Sequence, residues 1–169
     1  ALLSSLIEST ISFLSLQASA GADALMLFDS WASAVPAAQR DWLVTRPAQL
    51  IIEGLRKNGH QQPVIGFPKG IGEGLIAYVD QSGVDAVGLD HGVDPVWVDR
   101  NLPQNFPVQG NLDPLSLLQA GPEMFRDIDH ILDAFANRPH IFNLGHGITP
   151  PTPTENVQLM LDHVRRHQG

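Results

Sequence analysis

Five short apolar runs, Ala24 to Phe28, Val64 to Phe67, Val84 to Leu89, Phe106 to Gln109 and Ile141 to Leu144, each stop at a polar or glycine-rich segment. Stretches with helical spacing lie between them. Runs this short and this continuous suit strands covered on both faces, and strands that alternate with helices pair in parallel through crossovers. The spacing places helices over Ala37 to Lys57 with a break or kink at Pro47, Glu73 to Gln81, Pro95 to Asn101, and Leu115 to Ala136 with an interruption near Gly121.

The two ends of the chain are helical as well. Leu2, Leu3, Leu6, Ile7, Ile11 and Leu14 recur at helical spacing up to Gly21. That opening has neither an initiating methionine nor a clear N-cap, which predicts that polypeptide precedes Ala1 in the parent protein. At the other end, Thr152-Pro153-Thr154-Glu155 combines a capping threonine, a proline at the first helical position and a capping-box glutamate, predicting a helix from about Pro153 to His167.

Composition narrows the chemistry. With no cysteine, the chain has no disulfide, thiolate nucleophile or Cys-ligated zinc, which fits a reducing compartment. A net charge of −8 opposes binding to nucleic acid or anionic lipid. No run approaches the roughly 20 apolar residues of a membrane span, and neither a signal peptide nor a membrane segment is expected. The histidines His60, His91, His130, His140, His146, His163 and His167 form no metal signature, and His163 and His167, on one helix face near the chain end, are expected to be solvated. No internal repeat or linker divides residues 1–169, so they read as one domain or part of one.

Five strands with crossovers fit either an open doubly wound sheet or part of a closed barrel. The first lacks its GxGxxG fingerprint. In either fold, ligands meet residues just past the carboxyl ends of the strands. The strand exits read Phe28-Asp29-Ser30-Trp31, Phe67-Pro68-Lys69-Gly70, Asp90-His91-Gly92, Gly110-Asn111-Leu112-Asp113 and Gly145-His146-Gly147.

Two glycines around His146 let backbone approach a ligand while the imidazole projects, or they make a tight turn with a surface histidine. Ser30 can donate to a substrate carboxylate or cap a turn. Asp29 and Asp90 suit acid–base work, or equally the acceptance of backbone N–H groups. Lys69 could form a Schiff base if burial lowered its pKa, although its Pro68 and Gly70 neighbours favour a solvated loop. Asn111 and Asp113 read as turn and cap residues or as backbone lining.

Taken together, Leu27-Phe28-Asp29-Ser30-Trp31, Gly66-Phe67-Pro68-Lys69-Gly70, Gly88-Leu89-Asp90, Gln109-Gly110-Asn111-Leu112-Asp113-Pro114 and Asn143-Leu144-Gly145-His146-Gly147-Ile148 resemble the uroporphyrinogen decarboxylases in order and spacing. The resemblance runs over essentially the whole chain. It implies a distorted (β/α)8 TIM-type barrel of which residues 1–169 supply roughly the last five βα units, the amino-terminal part being absent. It also implies a carboxy-lyase that takes uroporphyrinogen III, a cyclic tetrapyrrole with eight carboxylates, to coproporphyrinogen III in haem biosynthesis by removing carbon dioxide from four acetate side chains. Neither a metal nor an organic cofactor is implied; a cytoplasmic homodimer is.

By resemblance, Ser30 and His146 match residues that contact substrate side chains, and Phe28 matches an apolar residue packed on the macrocycle. No catalytic residue is assigned with certainty in this half. The family's essential aspartate, its RQAGR motif and a tyrosine belong to the amino-terminal part, so the chain alone is expected to be inactive. His91 departs from the aromatic residue that the family often has after Gly-Leu-Asp. Other readings are the related corrinoid-linked barrel methyltransferases, whose zinc site needs a cysteine, a Lys69 aldolase, and a half-barrel that pairs with a partner chain through its open edge.

Overall fold

The computed structural model describes residues 2–167. The chain divides into two compact units, the first ending at Val87 and the second starting at Gly88. All five predicted strands form. They hydrogen-bond in chain order, β1 (Leu25–Asp29), β2 (Val64–Pro68), β3 (Ala86–Gly88), β4 (Val108–Gln109) and β5 (His140–Ile141).

In the first unit, α1 (Leu2–Ser19) precedes β1, α2 (Arg46–Lys57) leads to β2 and α3 (Gly74–Gln81) leads to β3. β1 and β2 are parallel, from Leu25 opposite Val64 to Asp29 opposite Pro68, and β2 pairs with β3 at Ile65 with Ala86 and Gly66 with Val87. Leu25, Val64 and Val87 are buried, as are Leu14, Leu55, Leu75 and Tyr78 of the helices. The apolar series of α1 is only partly used: Leu14 is buried, whereas Leu2 and Leu6 are exposed.

Of the break or kink expected at Pro47, the structure shows a change of helical winding ahead of the proline and no gap in the chain of turns. Pro47 has no N–H to donate into the preceding turn. The residues before it form a 3-10 turn at Ala37–Gln39 and a widened π turn at Asp41–Thr45, in which the Arg46 N–H donates to Asp41 O, and only then does α2 begin.

In the second unit, α4 (Pro95–Asn101) spans the predicted residues, with the Asp94 carboxylate accepting the Val96 N–H ahead of Pro95. Asp113 caps α5 (Pro114–Gln119) in the same way, through the Leu115 N–H. The interruption near Gly121 is a backbone reversal, with Ala120 at φ 55° and Gly121 at φ 87°, before α6 (Pro122–Ala134). β4 and β5 pair in parallel at Val108 with His140 and at Gln109 with Ile141, and the Leu89 N–H donates to Gln109 O. Val98, Leu117, Met124, Ile128 and Phe135 form the core of this unit.

Two local expectations change. The last strand starts one residue early and stops at Ile141, because the Asn143 carboxamide accepts the Leu144 N–H and turns the chain; pairing resumes as a single bridge between Leu112 and Leu144. The final helix, α7, runs over Thr154–His167 and so begins one residue later than expected. The Thr152 hydroxyl pairs with that of Thr149, and the Asn156 N–H goes to Pro153 O. Among the described residues no helix is long and apolar enough to cross a membrane.

Candidate active site

The first-unit exits are held close together. The Lys69 N–H donates to Asp29 O, extending the β1–β2 ladder past the strand ends. Gly70, at φ +73°, leaves room only for itself, since a Cβ there would lie 2.8 Å from that of Ser33. On this platform Phe28 meets Phe67 edge to face at 5.9 Å while keeping 65% of its surface exposed, and Trp31 is 80% exposed. Ser30, also exposed, lies between these two rings in sequence. β1 therefore ends in an uncovered apolar shelf carrying a hydroxyl. Lys69 is half-buried, a correction to its expected place in solvent: the ladder continuing through its N–H holds it beside β1.

Asp29 takes the structural role foreseen for it by accepting the Trp31 N–H. Burial nonetheless raises its pKa above the ordinary carboxylate value, and that hydrogen bond only partly offsets the rise. Burial also pushes up the pKa of the Tyr78 phenol, with the Asp29 charge adding to the effect. Tyr78 was not singled out from sequence; its one signal is a tyrosine on the buried side of a short helix, directly under Gly66.

In the second unit, His146 is exposed on the segment after β5. Beneath it lies the exit of β3, where Asp90 is buried and its carboxylate accepts the Gly92 N–H at 2.9 Å. Asn111 does more than turn the chain: its carboxamide nitrogen donates to Asp90 O at 2.9 Å and to Val93 O at 2.8 Å. His91 is exposed. Phe28 and Ser30 thus belong to the first unit and His146 to the second: Phe28 is next to last in β1, and Ser30 and His146 lie past the carboxyl ends of β1 and β5.

One of the two histidines expected in solvent differs from that expectation, and the other, His167, is exposed. His163 is not left in solvent: it stacks on Phe125 at 4.6 Å and hydrogen-bonds Asp129 at 2.6 Å. His167 reaches both Asp129 and Asp133. α7 lies against α6, so His163 is half-buried while His167, though exposed, stands beside these carboxylates.

His140 sits behind the β4 exit, with Nε2 2.7 Å from Gly110 O, so this nitrogen carries the proton that it donates. Burial lowers its pKa below 6.5; the Gly110 bond opposes this, and the charge of Arg138 adds to it. The folded state therefore prefers neutral imidazole, and the stability tied to His140 is complete above about pH 6.5 and declines as pH falls toward the depressed folded value. Thermal unfolding of the chain and of His140→Gln at several pH values checks this. The wild-type midpoint should fall faster below about pH 6.5 than that of the variant, and parallel curves would refute the assignment.

In each unit the chain is parallel β/α with polar residues at or just past the carboxyl ends of its strands, the placement found in (β/α)8-barrel enzymes. A methyltransferase from Methanosarcina mazei shares that fold, with a TM-score of 0.81 over 96% of this chain and 48% of its own, at 16% sequence identity. The family model for uroporphyrinogen decarboxylase (URO-D) matches residues 1–167. The protein named uroporphyrinogen decarboxylase in Novosphingobium aromaticivorans is 50% identical over 98% of this chain and 48% of its own length. Its counterpart in Sphingopyxis alaskensis is 48% identical over the same shares. The chain belongs to the uroporphyrinogen decarboxylase family, a TIM-barrel family, and it spans about half the length of the curated relatives it matches.

Proposed function

We propose that this chain supplies the later βα units of a uroporphyrinogen decarboxylase, a carboxy-lyase that converts uroporphyrinogen III to coproporphyrinogen III without a metal or organic cofactor. The family match over residues 1–167, with the LFDSW segment spanning the end of β1 and the NLGHG segment following β5, carries the proposal.

Each acetate loses carbon dioxide as its C–C bond breaks. The bonding pair passes into a protonated pyrrole, the methylene takes up a proton to become methyl, and the proton first placed on the ring leaves to restore the pyrrole, so that one proton is consumed per carbon dioxide released and the ring charge must be held meanwhile. The exposed face of Phe28 offers an apolar surface for the macrocycle, and Ser30 and His146 offer donors for its carboxylates. A chain with net charge −8 cannot by itself offset the charge of a polyanion. The cationic groups therefore belong to the other half of the protein, which works as a cytoplasmic homodimer.

The test gives uroporphyrinogen III, under anaerobic conditions, to the full-length protein, to its Ser30→Ala and His146→Ala variants and to the 169-residue chain, counting lost carboxylates by chromatography. Coproporphyrinogen should form with the full-length protein, about tenfold or more slowly with each variant, and not with the chain alone. No product from the full-length protein would refute the assignment.

A further inference from the structure

Gly145, one residue before the exposed His146, is buried against the neighbouring strand exit. A Cβ there would lie 2.2 Å from the backbone nitrogen of His91, 2.7 Å from its Cα and 2.8 Å from the carbonyl carbon of Asp90. All three atoms are backbone, so no side chain can swing aside. Gly145 is also tied from below, its N–H donating to Leu112 O at 2.8 Å.

The peptide on which it rests is fixed in turn. Asn111, 4% exposed, bonds the carbonyls of Asp90 and Val93, while the Asp90 carboxylate takes the Gly92 N–H and the Val93 N–H returns to Asp90 O at 3.2 Å. Beyond the histidine the situation reverses, since a Cβ at Gly147 would meet nothing within 4 Å. The height of His146 is therefore set from one side only.

We propose that Gly145 and Asn111 are positioning residues for His146: Gly145 lets the segment after β5 close directly onto the Asp90–His91 peptide, and Asn111 holds that peptide in place. The inference rests on reading His146 as a substrate contact. A methyl group at position 145 lifts the segment by about 1 Å, and a displacement of that size at a positioned group can cost about a hundredfold in rate.

The experiment uses the full-length protein and uroporphyrinogen III under anaerobic conditions, with Gly145→Ala, His146→Ala and the double variant. Gly145→Ala should lower kcat/KM by about tenfold to a hundredfold, and should add nothing once His146 is gone, because its effect passes through that side chain. Unchanged kcat/KM in Gly145→Ala, or an equal further loss in the His146→Ala background, overturns the proposal, the latter pointing to a purely structural glycine. If His146→Ala alone keeps full activity, the substrate-contact reading fails first and takes the positioning role with it. Should Gly145→Ala not fold, Asn111→Ser loosens the same peptide without crowding it; it should give a smaller loss, again absent without His146, and a loss persisting there counts against the proposal.

Discussion

Gly66→Ala is expected to destabilise the first unit by about 2–3 kcal/mol, because overpacking a closed core costs up to roughly that much. A Cβ at position 66 would lie 2.5 Å from the Tyr78 hydroxyl, 2.8 Å from Tyr78 Cε1 and 2.9 Å from Val84 Cγ1. Tyr78 is 2% exposed, so its ring has nowhere to go. β2 therefore carries a glycine at mid-strand, where propensity alone disfavours one, to make room for a phenol on α3.

The two positions should be strongly coupled. Tyr78→Leu alone opens a cavity and is itself destabilising. Combined with Gly66→Ala it should cost clearly less than the sum of the single changes, since the new methyl group enters the space the ring has left. Urea unfolding of the four proteins measures the cycle, and costs that add to within about 0.5 kcal/mol would show that the ring and the strand do not compete for that space.

Asp99→Ala is expected to cost the second unit about 3 kcal/mol. The Arg138 side chain is fully buried, with Nε on Asp99 at 3.1 Å and Nη2 on the Leu102 and Pro103 carbonyls at 3.2 and 3.3 Å. Nη1 has no hydrogen-bond partner. Removing the carboxylate leaves a buried cation without its counter-charge, typically a 3–5 kcal/mol loss. The lower end applies because Asp99 keeps 31% of its side chain in solvent.

Removing the cation should be milder. Arg138→Met leaves an aliphatic chain against Phe135, whose ring centre lies 5.9 Å from the guanidinium carbon. Arg138→Met should also rescue most of the Asp99→Ala loss when the two are combined. Chemical unfolding decides the matter, and a double variant as unstable as Asp99→Ala alone would show that the buried charge is not the cause.

What could be read from the sequence divides by distance along the chain. The five strands could be found because each is a continuous apolar run, and the Asp113-Pro114 helix start because cap and proline are adjacent. The shelf at Phe28 and Ser30 and the projecting His146 likewise follow from residues next to one another at strand ends. The role of Asn111 could not be read: its partners, Asp90 and Val93, are 21 and 18 residues away. The Arg138–Asp99 pair spans 39 residues and lacks any local mark. The Thr152 cap was misread for the opposite reason, since its local pattern is good but the Thr149 hydroxyl competes for the same side chain.

The last helix has one further consequence. Within α7 Met160 alone is fully buried; the rest of the helix's hold on its neighbours is shared between half-buried Val157 and Val164, the His163 ring stacked on Phe125, and polar contacts, through the Asn156 carboxamide on the Leu117 and Leu118 carbonyls and the imidazoles of His163 and His167 on Asp129. A helix fastened this way opens locally at little cost in apolar burial. Its backbone amides are expected to exchange with solvent hydrogen through that partial opening sooner than those of β4 and α6, which hydrogen-exchange measurement would show.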